Sequence, residues 1–206
     1  MPLSDSSINK RQNMAKHSKS PEAAIGGLAE AARRGPAPVR LWNPPDCGDI
    51  DMRIAADGVW HYCGSPIGRA SLVKLFASIL RKDGDRYVLV TPVEKVGIKV
   101  DDAPFLAVEM QVDAKNGEPL LTFRTNVDDI VTAGVEHPLR FERGAADGLK
   151  PYIRVRGDLW ALVKRALFYD LVALGTTAGG RDDLWFGVRS GGVFFPMCPA
   201  SEIEGL

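Results

Sequence analysis

The chain has little cysteine, little histidine and no charge imbalance, and each shortage removes a class of protein. Three cysteines, Cys47, Cys63 and Cys198, stand far apart with no CxxC. They supply neither the disulfide framework of a small secreted domain nor a zinc ribbon, and reduced thiols are expected. Twenty-six basic residues balance twenty-six acidic ones. A nucleic-acid binder ordinarily carries a basic excess, because phosphate neutralisation supplies most of its affinity, so no nucleic-acid partner is expected. Long apolar runs are missing too. The most apolar helical stretch, Leu159 to Leu174, is broken by Lys164, Arg165 and Asp170, short of the roughly 20 apolar residues that cross a bilayer. The polar start lacks the apolar centre of a secretory signal. A cytoplasmic protein without a membrane span is the expectation.

What is present is ordinary globular composition over 206 residues, with 45% hydrophobic and 25% charged, enough for one large domain or two small ones. Residues 1–38 read as a polar, disordered tail, with an Ala-rich stretch from Pro21 to Arg34 that suits a short helix ended by Gly35-Pro36. From Val39 onward the pattern is α+β. A hairpin is expected from Ile50–Ile54 and Val59–Cys63 around a turn at Ala55-Ala56-Asp57-Gly58. Leu72, Leu75, Phe76, Ile79 and Leu80 then follow the spacing of an amphipathic helix, stopped at Asp83-Gly84. A second hairpin uses Arg86–Val90 and Val96–Val100. The first unit, 39–102, is therefore ββαββ.

The same order returns in 103–206. Leu139–Glu142 and Tyr152–Val155 flank a Gly-rich turn, and Asp183–Arg189 and Val193–Met197 flank Ser190-Gly191-Gly192. Between these pairs, Leu159, Leu162, Val163, Ala166 and Leu167 predict a helix over about 159–172, with Asp158 as N-cap and Gly175 as its stop. Leu-Val-Lys occurs in both helical stretches, at 72–74 and 162–164. The repeat in order and the shared tripeptide point to an internal duplication. Phe105–Val112 and Leu120–Thr125, joined through Asn116-Gly117, add a hairpin that enlarges the second unit. Two bent antiparallel sheets, each packed by one helix, are expected.

The motifs LWNPPDCGDIDMRI, DGVWHYCGSPIGR, LVKLF, YVLVTPVEK, VDDAPFLAV, FRTNVDDIV, HPLR, YIRVRG and FYDLVALG, spread over about Val39 to Met197, resemble a bacterial family known as domain-of-unknown-function family 1285. The resemblance implies a duplicated core and a C-terminal half superficially like a pleckstrin-homology fold. It also implies a ligand site between the halves, for which a nucleotide-like molecule and a signalling role are expected. It supplies no reaction. The chain departs from the family pattern at Trp160, where an acidic residue is common.

The candidate chemistry is sparse. Cys47, Asp49, Asp51, His61 and Cys63 are metal-ligand types, but the expected hairpin opposes Met52 to His61 and Ile50 to Cys63. His61 and Cys63 then fall on the apolar face, with Asp51, Arg53, Trp60 and Tyr62 on the other. No metal and no cofactor are expected from so divided a set, and Cys63 with His61 makes no nucleophile pair. No Ser, His and Asp triad or GxSxG elbow can be assembled. Gly175, Gly179, Gly180 and Arg181 follow a helix end, whereas phosphate loops precede one. The junctions Ser65-Pro66-Ile67-Gly68-Arg69 and Arg154-Val155-Arg156-Gly157-Asp158 precede helices and carry arginine, so capping and phosphate binding both remain open there.

The function expected from these readings is a non-enzymatic binding or regulatory module with a phosphate-bearing ligand between its units. Asp51, Arg53, Ser65, Arg69, Arg154 and Arg156 would line the site, and Trp60 would stack on a base. Two alternatives stay open: a metal-assisted phosphate hydrolase using Asp49 and Asp51, and a pure protein-interaction module with a protein partner.

Overall fold

Ile50, Met52 and Ile54 alternate with Asp49, Asp51 and Arg53, and the chain forms a strand there, β1 (Asp46–Ile54), whose Met52 and Ile54 are buried. The computed structural model describes residues 38–115, 117–144, 148–180 and 183–203. The tail, the helix expected over 21–34, Asn116 and Arg181 lie outside them. After β1 come β2 (Trp60–Tyr62), β3 (Ser65–Pro66), α1 (Ala70–Ser78), β4 (Leu80–Asp83), β5 (Arg86–Val90) and β6 (Lys95–Val100). The second half runs β7 (Phe105–Lys115), β8 (Glu118–Thr125), β9 (Ile130–Thr132), β10 (Leu139–Arg143), β11 (Leu149–Arg156) and β12 (Leu159–Val163). It ends with α2 (Arg165–Ala173), β13 (Thr176–Gly180), β14 (Asp183–Ser190) and β15 (Val193–Pro199). The protein is mostly β, with two helices and curled sheets. No helix among the described residues is long and apolar enough to cross a membrane.

The first sheet has the order β3-β2-β1-β6-β5-β4 and the second β10-β11-β12-β7-β8-β9. Read from its other end, the second repeats the first with every strand number raised by six. Both consist of two three-stranded meanders joined by a parallel seam, β1 with β6 and β7 with β12. These sheets are therefore mixed rather than antiparallel, because hairpin signals in a sequence report only neighbouring strands. A third sheet, β13-β14-β15, is antiparallel and folds onto β8. The buried Ser190 hydroxyl donates to the Ala133 carbonyl at 2.8 Å and accepts from the Leu121 amide at 2.9 Å. One apolar core runs through both halves, from Met52, Ile54 and Trp60 to Ile153, Val163 and Val188.

Three local readings are corrected. The run from Leu159 to Val163 is a strand, with Leu159, Ala161 and Val163 buried and Trp160 and Leu162 half-buried. Apolar residues at 159, 162 and 163 satisfy both a helical and an alternating spacing, and pairing with β11 and β7 decides for the strand. The helix starts later, with Lys164 rather than Asp158 at its N-cap. Likewise α1 ends at Ser78, and Leu80 to Asp83 turn back as β4 against β5, so Asp83-Gly84 belongs to a hairpin. Each helix thus has an additional strand on either side, and the order is three strands, a helix and three strands in place of ββαββ.

The third correction is the register of the first hairpin. Met52 faces Tyr62, Arg53 faces His61 and Ile54 faces Trp60, one residue away from the expected pairing. The turn holds five residues, closed by Ala55 N–H to the Val59 carbonyl at 2.9 Å and Gly58 N–H to the Ala55 carbonyl at 2.8 Å. His61 therefore shares the outer face with Arg53. Trp60 turns inward, 1% exposed and stacked on Phe76 with ring centroids 6.2 Å apart. A one-residue slip exchanges the two faces of a strand.

Gly58 ties this turn to the second half. Its φ is +80°, and a Cβ there would sit 2.8 Å from Leu106 Cδ1 and 3.1 Å from Asn126 Nδ2. Gly64, at φ +76°, has nothing within 4 Å of that position. Gly64→Ala carries only left-handed strain and should lower stability by about 1 kcal/mol. Gly58→Ala adds overpacking at the junction and should lower it by about 3 kcal/mol. Urea midpoints at unchanged m-value measure both.

Candidate functional site

Three segments distant in sequence meet where the halves join: the stretch before β1, the strand β4 and the turn between β11 and β12. They enclose a cleft of about 430 Å³ lined by Arg40, Trp42, Asn43, Lys82, Arg156 and Gly157, among others. Two arginines build its frame. Arg81 donates to the carbonyls of Val39 and Trp42, both at 2.7 Å, and grips Asp83 through two bonds of 2.6 and 2.8 Å. Those Arg81 bonds, against the opposing effect of burial and with help from Lys95, hold the Asp83 carboxyl below its ordinary value. The fork of Arg81 thereby fixes the stretch holding Trp42 against β4.

Arg156 is the frame on the other side. Its guanidinium donates to the Ala77 carbonyl at 2.6 Å, pairs with Asp129 and lies 5.0 Å from the centre of the Phe105 ring. The Ala77 carbonyl belongs to the last turn of α1, so a cation from the second half caps a helix of the first. Gly157, at φ +51°, leaves room for Arg40, whose Nη2 would lie 3.5 Å from a Cβ at that position.

The lining carries Arg40, Arg81, Lys82 and Arg156 against Asp83 and Asp158. Arg81 is matched by Asp83 and Arg156 by Asp129. Arg40 is exposed, with no hydrogen bond or ion pair among the described residues, and Lys82 meets only the Tyr87 ring, 5.5 Å away. The cleft therefore offers two cations without carboxylate partners, a half-buried indole at Trp42 and an exposed amide at Asn43. Such a set suits an anion attached to a flat, polar-edged group.

Of the ligand-binding residues expected from the sequence, only Arg156 lines this cleft, beside Gly157 and Asp158 of the same junction. Asp51 and Arg53 line another, of about 530 Å³, on the outer face of the first sheet. There Arg53 is paired with Asp101 at 2.8 Å, and Arg86 holds Asp49 and Asp46 across Gly97, where a Cβ would lie 1.9 Å from Asp49 Oδ1. Asp49, half of the carboxylate pair of the hydrolase reading, is thus engaged by Arg86. Among the described residues no group of three His, Cys, Asp or Glu side chains is placed to hold a metal. Trp60 lies in the core and presents no ring face for stacking on a base. Ser65 is exposed in β3, Arg69 is the exposed N-cap of α1, and Arg154 donates to the Glu136 carbonyl at 2.7 and 3.0 Å. None of these three lines either cleft. Arg40, Trp42, Asn43, Arg81 and Lys82 were missed. The first three sit within or beside the LWN motif, and the last two were hidden by carrying α1 through Leu80.

A second polar link braces the junction. Asp102, in the link between the halves, accepts from Lys150 Nζ and Tyr152 Oη, both at 2.7 Å. Burial pushes the Asp102 carboxyl up, but the Lys150 and Tyr152 bonds outweigh it and leave the group below its ordinary value. Burial and the Asp102 bond in turn raise the Tyr152 phenol.

The site thus joins a two-part, mostly β protein along the line where its halves share a core. The chain belongs to the family described as protein of unknown function DUF1285, whose C-terminal domain model matches residues 104–197 and whose N-terminal domain model matches residues 37–103. It is similar to a DUF1285 family protein from Silicibacter pomeroyi DSS-3, solved by crystallography at 2.50 Å. The two share 50% identity over 86% of this chain and 98% of that one, with a TM-score of 0.79. A DUF1285 family protein from Shewanella baltica OS155, solved at 1.40 Å, shares 32% identity over 60% of this chain and 91% of that one, with a TM-score of 0.48. No curated protein matches the chain.

Two outcomes follow from the junction. Arg156→Met strands the Asp129 carboxylate and removes the Ala77 donor, and should lower stability by about 3 kcal/mol. Arg154→Met, which loses bonds to one surface carbonyl, should lower it by less than about 1 kcal/mol. Denaturant unfolding compares the two. For Asp102 the folded value is depressed, so its contribution is present above the unfolded value of about 4 and lost as pH falls through the folded one. Asp102→Asn should remove that part of the acid sensitivity, so the wild-type Tm falls further than the variant's between about pH 5 and about pH 2.

Proposed function

We propose that the protein is a non-enzymatic binding or regulatory module that holds a nucleotide-like, phosphate-bearing ligand in the cleft between its halves and serves signal transduction in the cytoplasm. The observation that carries this reading is the meeting, in one inter-half cleft, of Arg40 and Lys82, which have no carboxylate partner among the described residues, with Trp42 and Asn43. The cations take the phosphate, the indole packs on the base, and the Asn43 amide reads a base edge. Arg81 and Arg156 hold the walls and are not spent on the ligand. Because the walls come from both halves, a ligand here makes contacts that depend on how the halves are joined, which is what a regulatory module needs. The division of the chain at 102/103, and a C-terminal half superficially like a pleckstrin-homology fold, belong to the same proposal. In it Asp51, Arg53, Ser65, Arg69 and Arg154 are surface residues outside the ligand's reach.

The test is calorimetric titration of the whole chain with AMP, ATP and cyclic dinucleotides, alongside thermal shift. One nucleotide class should bind and raise the Tm with dose. Arg40→Ala and Lys82→Ala should each weaken it about tenfold, and Trp42→Ala by a similar factor, with stability unchanged for the two cation variants. Undiminished affinity in the Arg40→Ala, Trp42→Ala double variant, or no binding across the panel, would overturn the proposal.

A further inference from the structure

A different cleft, of about 900 Å³, opens between the β1–β2 turn and the face formed by β11, β12 and the start of α2. Its chemistry is unlike that of the nucleotide cleft. Leu106, Leu149, Pro151, Leu162 and Phe168 form its walls, and among the described residues it has no Asn or Gln to read a base edge. Its charged groups among the described residues are Lys150, Lys164, Arg165 and Asp57. Lys150 is held by Asp102 at 2.7 Å, and Asp57 accepts the Val59 amide at 3.0 Å. Lys164 has no ion pair among the described residues. Arg165 donates to the Tyr169 hydroxyl at 2.8 Å and is matched by no carboxylate there. Lys164 is also the N-cap of α2, which has no side-chain cap and no acidic residue in its first turn, so the positive end of the helix adds to the two cations.

An apolar wall closed at one end by positive charge that no carboxylate among the described residues pairs selects a molecule with the reverse character. We propose that this cleft is a second binding site, for a small amphipathic carboxylate. The carboxylate sits at Lys164, Arg165 and the first turn of α2, and the hydrocarbon body lies along Leu106, Leu162 and Phe168. Leu106 is also the residue on which Gly58 rests, so an occupant touches the same contact that seats the first half on the second.

The probe is dodecanoate below its micellar concentration, followed by equilibrium dialysis with the whole chain. Dodecanol, AMP and phosphatidylglycerol vesicles serve as comparison arms. The expected result is saturable binding of one dodecanoate per chain, not displaced by AMP, and about tenfold weaker for dodecanol. The double variant Lys164→Glu, Arg165→Glu changes only exposed side chains and should weaken dodecanoate by more than about tenfold while leaving dodecanol unchanged. Equal affinity of wild type and variant for dodecanoate, dodecanol binding as tight as dodecanoate, or displacement by AMP would overturn the proposal. So would capture by vesicles without binding of the free acid. Because AMP is an arm of the same experiment, failure of this site and failure of the nucleotide cleft are separately visible.

Discussion

The bond from Arg156 to the Ala77 carbonyl spans 79 residues of sequence and joins a strand of one half to the last turn of a helix in the other. The guanidinium is half-buried, packed over Phe105 and paired with Asp129, so it cannot be withdrawn without leaving a carboxylate and a carbonyl poorly solvated. The position of α1 against the second half follows from it, and so does that of β4, which leaves α1 almost at once. Since β4 carries Arg81, and Arg81 holds the segment containing Trp42, one wall of the cleft is set through the other. An arginine suits this role better than a lysine because its planar fork serves several acceptors and a ring together.

The two six-stranded sheets show how a long chain builds wide mixed sheets from short hairpins. Each meander is local, and only the central seam is parallel. The seams bury the middle of each sheet, where Val96, Ile98, Phe105 and Ala107 contribute to the common core. On the outer face of the first sheet Arg53, Arg86 and their carboxylates form surface ladders. Exposed pairs of this kind add little stability and serve mainly to keep that face solvated.

Much of the local structure was legible in the sequence. The strands around 50–54, 86–90, 96–100, 105–112, 120–125, 139–142, 152–155, 183–189 and 193–197 all form, because alternation and turn residues act between neighbours. Two of the failures share one cause. At 159–163, and again at Ile79 and Leu80, apolar spacing satisfied two periods, and the choice was made by partners elsewhere in the chain. In the first hairpin the fifth turn residue moved Trp60 from the polar face to the core. The cleft was legible only at the Arg156-Gly157-Asp158 junction, since its other walls, from 39–43 and 80–83, are brought to it by contacts that no local pattern reports.

The parallel seams also have a kinetic meaning. Meanders close over a few residues, whereas Ile54 must find Val100 and Phe105 must find Ala161 before either seam exists. Loop-closure entropy has to be met before such distant pairings are rewarded, so topologies of this kind fold slowly. Until the seams zip, β1, β6, β7 and β12 each present an unpaired edge rich in apolar side chains, and it is in that interval that the nascent chain is most exposed to aggregation.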